Sequence, residues 1–341
     1  MTNHLLIDLD SKIPNLALMK VSAWAKGKGG TVTIIREGES PWLVPDEIWL
    51  SCIFTWNKDK GFLVIASYKA QFPKAKVHYG GSGFDWGLPY GDPNRIYLPS
   101  EIEAMVPDYS LYDDDRAVGF CQRGCDRRCP WCNVWKSEGR IKQNDFRRLR
   151  EWVPDGFKKV LLLDNDIALA EKWKHDLVLH DAREMGVKLS ITQGYDIREI
   201  NEEKAQMLAD YKPWSLNFKE RMLYFSWDEP GYEKMVRRGI ELLKDAGFKG
   251  RQMTCYVLVG FDTTHEQDMH RVNILWKEYG ILPYIMPFNN KRDDQWINNL
   301  RRWANRRWLL KTITFEEYNR NFRGTDQYKE KRMTIANEVA Q

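Results

Sequence analysis

Four cysteines, Cys121, Cys125, Cys129 and Cys132, fall within twelve residues in the segment GFCQRGCDRRCPWCNVWKSEG. Thiolates at such spacing can converge on one soft metal centre, so metal chemistry is the first reading of this loop. Only Cys125, Cys129 and Cys132 stand in the pattern C-x3-C-x2-C. A structural zinc site would use all four and be closed and tetrahedral. Zinc ligands usually come as two C-x2-C pairs with a longer spacer, however, and a single pair is present here. Cys121 reads as a small buried side chain, and Cys52 and Cys255, which lie in apolar strands, read as core. Clustering of this kind fits a metal in a reducing compartment better than three disulfides.

The elements that must hold this loop are legible in the apolar runs. Residues 5–10, 31–35, 47–54 and 76–81 read as strands, with helices over 14–29 and around 60–71, which makes a small open α/β sheet. Leu16, Met19 and Ala23 mark the apolar face of the first helix. A Gly-, Pro- and Asp-rich loop over 80–94, a short strand at 95–98 and an acidic helix start at 100–105 lead to a domain boundary near 107–115. Six more strand candidates come at 117–120, 159–164, 188–192, 222–227, 253–259 and 282–288, separated by helical patterns. Strands of this buried kind, alternating with helices, indicate a parallel sheet of β-α units, and six units suit a partial barrel. Catalytic groups in such barrels gather at the strand C-terminal ends, which places the cysteine loop directly after the first strand.

That loop resembles the one that defines the radical S-adenosylmethionine (radical SAM) superfamily, down to the aromatic Trp131 just before the last cysteine. The resemblance implies that Cys125, Cys129 and Cys132 hold three irons of a 4Fe-4S cluster, with SAM on the fourth through its amino and carboxylate groups. It also implies an electron donor such as a flavodoxin or ferredoxin, and a substrate that the sequence leaves unidentified. SAM contacts are then expected from Trp131, from Asp164 and Asn165 in LLLDNDIAL, from Gln193, from Ser226 and Asp228 in LYFSWDEP, and from Gly260 beside Val257 and Val259. The stretch at 160–169 departs from the Gly-Gly-Glu of many members, and the second reading of its acidic residues is as helix caps. Asp196 and Arg198 read equally as a structural ion pair.

The N-terminal unit, ending in HYGGSGFDW, looks like the domain that precedes the barrel in cobalamin-type members of the superfamily. None of the six histidines sits in a D-x-H-x-x-G motif, so the expectation is a scaffold or substrate platform rather than a cobalamin carrier. The Gly80, Gly81 and Gly83 cluster alone is a weak sign of a ligand. The fold expected is therefore α/β: a Rossmann-like domain over 1–112, a partial (β/α)6 barrel over 113–290 and a helical extension over 291–341.

In that extension DDQWINNLRRWANRRWLLKT puts Trp296, Leu300, Trp303 and Arg307 at helical spacing with Arg301, Arg302 and Arg306 alongside. Tryptophans on such a helix read first as core that closes the barrel side, and second as a stacking surface for nucleic acid. The competing class is accordingly a non-catalytic, zinc-stabilised nucleic-acid-binding protein. The polar tail after about 325 reads as flexible. A chain of 341 residues with 43% hydrophobic content and net charge +4 is a folded, multi-domain protein without the basic excess that would by itself mark a nucleic-acid binder. Its apolar runs are too short to span a bilayer and no secretory leader is evident, so a cytoplasmic location with no membrane partner is expected.

Overall fold

The computed structural model describes residues 1–36, 39, 41–142, 145–290 and 293–321. It divides into two compact units, Met1–Leu189 and Ser190–Gln341. The first unit opens with four strands, β1 (Asn3–Asp8), β2 (Thr31–Arg36), β3 (Glu47–Ser51) and β4 (Lys76–Gly80), all parallel, in the order β2-β1-β3-β4. Helices α1 (Leu16–Gly27) and α2 (Lys58–Gln71) cover it. The alternation of side chains along β1 explains why both faces need cover. Leu5 and Ile7 join Ile48, Leu50 and Ile65 of α2, whereas Leu6 joins Leu18 and Val21 of α1. Each such buried aliphatic side chain contributes about 1.5–3 kcal/mol. The buried face of α1 carries Leu18, Met19, Val21 and Ala25, while Leu16 and Ala23 are half-buried, so the apolar stripe is rotated from the one expected. Asn15 starts this helix, its side chain accepting from Leu18 N.

Three more parallel strands come next, β5 (Arg116–Gly119), β6 (Lys159–Leu162) and β7 (Lys188–Ile191), in the order β5-β6-β7. The compact unit does not end near residue 112, because the connecting segment packs on both sides of that point. Tyr109 donates its hydroxyl to Trp152 O at 3.0 Å and lies against Phe157, and Tyr112 donates to Asp8 at 2.8 Å. Lys20 of α1 donates to Glu103, and Arg147 to Ala104 O.

In the second unit β8 (Leu223–Ser226), β9 (Met253–Val259) and β10 (Leu282–Pro287) form a parallel three-stranded sheet in the order β10-β9-β8. A single parallel bridge pairs Tyr195 with Phe225. The strands β5 to β10 thus pair as two three-stranded parallel sheets. The C-terminal tryptophan segment is two helices, Gln295–Ala304 and Arg307–Thr312, broken at Asn305, whose side-chain amide pairs with the backbone of Ile285. The first packs on β10. Trp303 is buried and donates to Ile313 O, and Trp296 stacks on His265, so both rings are engaged by the fold itself. The tail after 325 lies outside the described residues. Among those residues no helix is long and apolar enough to cross a membrane.

Candidate metal centre

The cysteine loop leaves β5 at Gly119 and is tied down at its base. Asp164, two residues past β6, accepts from the backbone N–H of Cys121 at 2.7 Å and of Gln122 at 3.0 Å. Arg147 N donates to Cys121 O at 2.8 Å, closing the far end of the loop on its start. The two limbs cross at Gly124, whose φ is +91° and whose missing Cβ would lie 2.6 Å from Arg140 O. A side chain there would separate the limbs, and with them the 3.1 Å bond from Cys125 N to Gly139 O.

Above this base Cys125, Cys129 and Cys132 are half-buried, whereas Cys121 is 1% exposed. Main-chain donors reach these sulfurs: Val134 N donates to Cys132 Sγ at 3.4 Å, and the Arg127 amide donates to Cys125. The backbone of Cys129 is held in turn, its carbonyl accepting from Cys132 N and from Trp135 Nε1. Burial pushes the Cys125 thiol up to about 12, with the Asp166 carboxylate and the thiols of Cys132 and Cys129 adding to it and the Arg127 amide opposing. Burial raises Cys121 too, well above an ordinary thiol, and it stays apart from solvent. Among the described residues no group of three or more His, Cys, Asp or Glu surrounds a single metal-ion position. A cubane asks for a different arrangement, one thiolate on each of three separate irons, with amide donors to the sulfurs tuning it. The loop's soft donors and their amide partners fit that group.

Around the loop the expected contacts divide. Trp131 is half-buried between Cys129 and Cys132. Asn165 donates to Glu138 Oε2 at 2.9 Å, and Glu138 also pairs with Arg123 at 3.3 Å, which holds its carboxyl below the usual range against the burial that raises it. Asp164 is 2% exposed with each oxygen taken by a loop amide, so it anchors the loop instead of facing a ligand. Burial pushes its carboxyl up to about 8, opposed by those two amides. Asp166 caps the turn Ile167–Leu169 by accepting from Ala168 N.

In the second unit Gln193 is exposed just past β7. Asp196 and Arg198 form an ion pair at 2.7 Å, and Asp196 caps the turn Ile197–Glu199. Ser226 bonds to the half-buried Asp228, whose carboxyl burial pushes up to about 6. Gly260, at φ +73°, donates its N–H to Thr263 Oγ1. Val257 and Val259 are fully buried and belong to the core. The strand ends here are clamped by Arg271, itself 0% exposed, which donates to Trp227 O, Asp228 O, Leu258 O and Asp268.

At the N-terminal sheet the glycines do not leave a ligand cradle. A Cβ on Gly81 would lie 2.3 Å from Cys52 O and one on Gly83 2.5 Å from Cys52 Sγ, so both are filled by the chain's own residues. Asp10 closes the same edge by accepting from Ile53 N, Phe54 N and Asn57 Nδ2. These residues do not fit cobalamin.

Sequence reasoning missed Glu138 and Arg271. The first carries no motif beyond standing next to a glycine six residues after the last cysteine; the second could have been read from Asp268-x-x-Arg271, an opposite-charge pair at helical spacing. No protein-family model matches the chain, and no curated protein matches it.

Proposed function

We propose that the chain is a radical SAM enzyme carrying a 4Fe-4S cluster on Cys125, Cys129 and Cys132, with β5 to β10 as the strands of a partial (β/α)6 barrel. The observation that carries this reading is the C-x3-C-x2-C set on half-exposed thiols with amide donors at Cys125 and Cys132, while the fourth cysteine, Cys121, is sealed beneath the loop. Held by Cys125, Cys129 and Cys132, such a cluster would leave one iron for SAM and, once reduced by the electron donor, would supply the one electron that breaks a sulfonium C–S bond into methionine and a 5'-deoxyadenosyl radical able to take hydrogen from a substrate.

The chain's own residues then have assignable work. Asp164, Gly124 and Gly139 hold the loop base, and Trp131 shields the loop between two of the ligands. Asn165 and Glu138 offer polar atoms beside the loop to the SAM ammonium. Gln193, Ser226, Asp228 and the Gly260 backbone are the proposed SAM contacts of the second unit. A flavodoxin or ferredoxin is the proposed electron donor, and a reducing cytoplasm the proposed setting.

The test is anaerobic purification and reconstitution with iron and sulfide, then reduction with SAM and chromatography for 5'-deoxyadenosine. A brown protein that releases it, and loses both properties in Cys125→Ala, supports the reading. A colourless protein holding one zinc and leaving SAM intact overturns it in favour of a zinc-stabilised binding protein.

A further inference from the structure

A cavity of about 290 Å³ lies within the first unit, between α1, the helical turn Ser100–Glu103 and the start of the cysteine loop. Its wall carries three cations. Lys20, only 8% exposed, donates to Glu103 at 2.6 Å, and Arg123 reaches the same carboxylate at 3.5 Å while lying over the Phe120 ring. Arg147, by contrast, has no carboxylate partner among the described residues; its guanidinium donates to Ala104 O alone. The cations are close enough that Arg123 and Arg147 both help lower Lys20, after burial. Against the three stand Glu103, which Lys20 and Arg123 share, Glu138, which pairs with Arg123 at 3.3 Å from beside the cavity, and the exposed Asp145, so that Lys20 and Arg123 are paired and Arg147 is the cation left over.

Gln122 adds an independent sign. It is 5% exposed, lines the same cavity, and its amide nitrogen has no hydrogen-bond partner among the described residues. A buried amide donor left unmade costs about 1–3 kcal/mol, and such a group calls for a partner. Phe120 and Trp152 supply flat apolar wall beside it. An arginine without a counter-charge, an unsatisfied amide donor and aromatic walls in one small cavity are the parts of a site for an anion on an apolar body.

We propose that this cavity binds a small organic anion, one carboxylate or phosphate on a flat apolar body, with Arg147 and Gln122 as its donors. The site uses none of the three proposed cluster cysteines, so it stands independently of the radical SAM reading.

Isothermal titration of the full chain with benzoate, phenyl phosphate and the neutral benzamide tests it, repeated with and without saturating SAM. Saturable binding of either anion, with benzamide at least tenfold weaker, is expected, and the tighter of the two names the charged group. Arg147→Gln should weaken the anion tenfold or more and Arg147→Lys less, with melting curves of the ligand-free variants showing that they fold. The proposal fails if neither anion saturates, if benzamide binds as well, if folded Arg147→Gln binds like the parent, or if SAM displaces the probe. Loss of the cluster in a cysteine variant with the anion still bound would separate the two readings.

Discussion

Two strand-end loops of the first unit are built with the same device and end in opposite states. At the N-terminal sheet, Asp10 reaches across from the end of β1 and accepts two successive amides, Ile53 N and Phe54 N. At the second sheet, Asp164 reaches from the end of β6 and accepts Cys121 N and Gln122 N. Each loop then places a cysteine in full burial, Cys52 in one and Cys121 in the other. In the first loop Gly81 and Gly83 press onto Cys52 and the edge is closed. In the second the chain runs on for eleven residues beyond Cys121 to Cys132, and three thiols stay half-exposed above the anchored base. An aspartate at a strand end therefore says how a loop is anchored; whether the loop can hold something depends on the residues beyond the anchor.

The strongest way to break this contrast is in the thiols. Replacing Cys125, Cys129 and Cys132 together by Ala should abolish iron binding, whereas Cys121→Ala should keep it; iron and sulfide per chain decide the matter, and a fully loaded triple variant removes the distinction between the loops. Next in size is Gly81→Ala. Its φ of +104° and ψ of 158° are a conformation reserved to glycine, and the new Cβ meets Cys52 O, so a loss of about 3 kcal/mol is expected in chemical denaturation. A stability change near zero would mean that this edge is not closed.

Asp164→Asn and Asp10→Asn sharpen the comparison from the anchor side. Each turns an amide –NH2 toward a backbone N–H and should cost about 1–3 kcal/mol. Only Asp164→Asn should also lower iron content after reconstitution, since only its loop carries the proposed ligands; equal iron loss in both variants would contradict that.

The remaining effect is in pH. Burial lifts the Asp164 carboxyl to about 8, so the folded chain keeps a proton that the unfolded chain gives up near pH 4. The stability from this group is complete below about pH 4 and is lost as pH rises through about 8. Asp164→Asn lacks that slope, so the gap in melting temperature between parent and variant should narrow from pH 5 to pH 9. A constant gap would show that the carboxyl is already ionised across the range.

Much of the fold was legible because strands and helices announce themselves locally. The ten strands among the described residues fall where apolar runs such as VLLL and CYVLVGF put them, as does α2, whereas 95–98, expected as a short strand, is irregular chain. The parallel order agrees with strands buried on both faces and helices between them. The stretch 107–115 read as a boundary because it is polar and acidic, yet the Tyr109 hydroxyl reaches Val118 O and Trp152 O and the Tyr112 hydroxyl reaches Asp8, contacts that pattern does not reveal. The C-terminal tryptophans read as either core or stacking surface; Trp303 is buried with its indole nitrogen on Ile313 O, and the half-buried Trp296 stacks on His265.

By itself the sequence determined the soft-donor set and its spacing, the β-α alternation, and the position of the loop directly after a strand, since each depends on residues adjacent in the chain. Only the tertiary structure decided that Asp164 points under the loop and not outward, that Glu138 and Asn165 meet beside it, that Arg147 meets no carboxylate among the described residues while Lys20 and Arg123 share Glu103, and that Arg271 clamps β8 to β9. These are meetings of groups up to about a hundred residues apart, set by packing and by the cost of burying a charge or an amide without a partner, and residue spacing does not encode that cost.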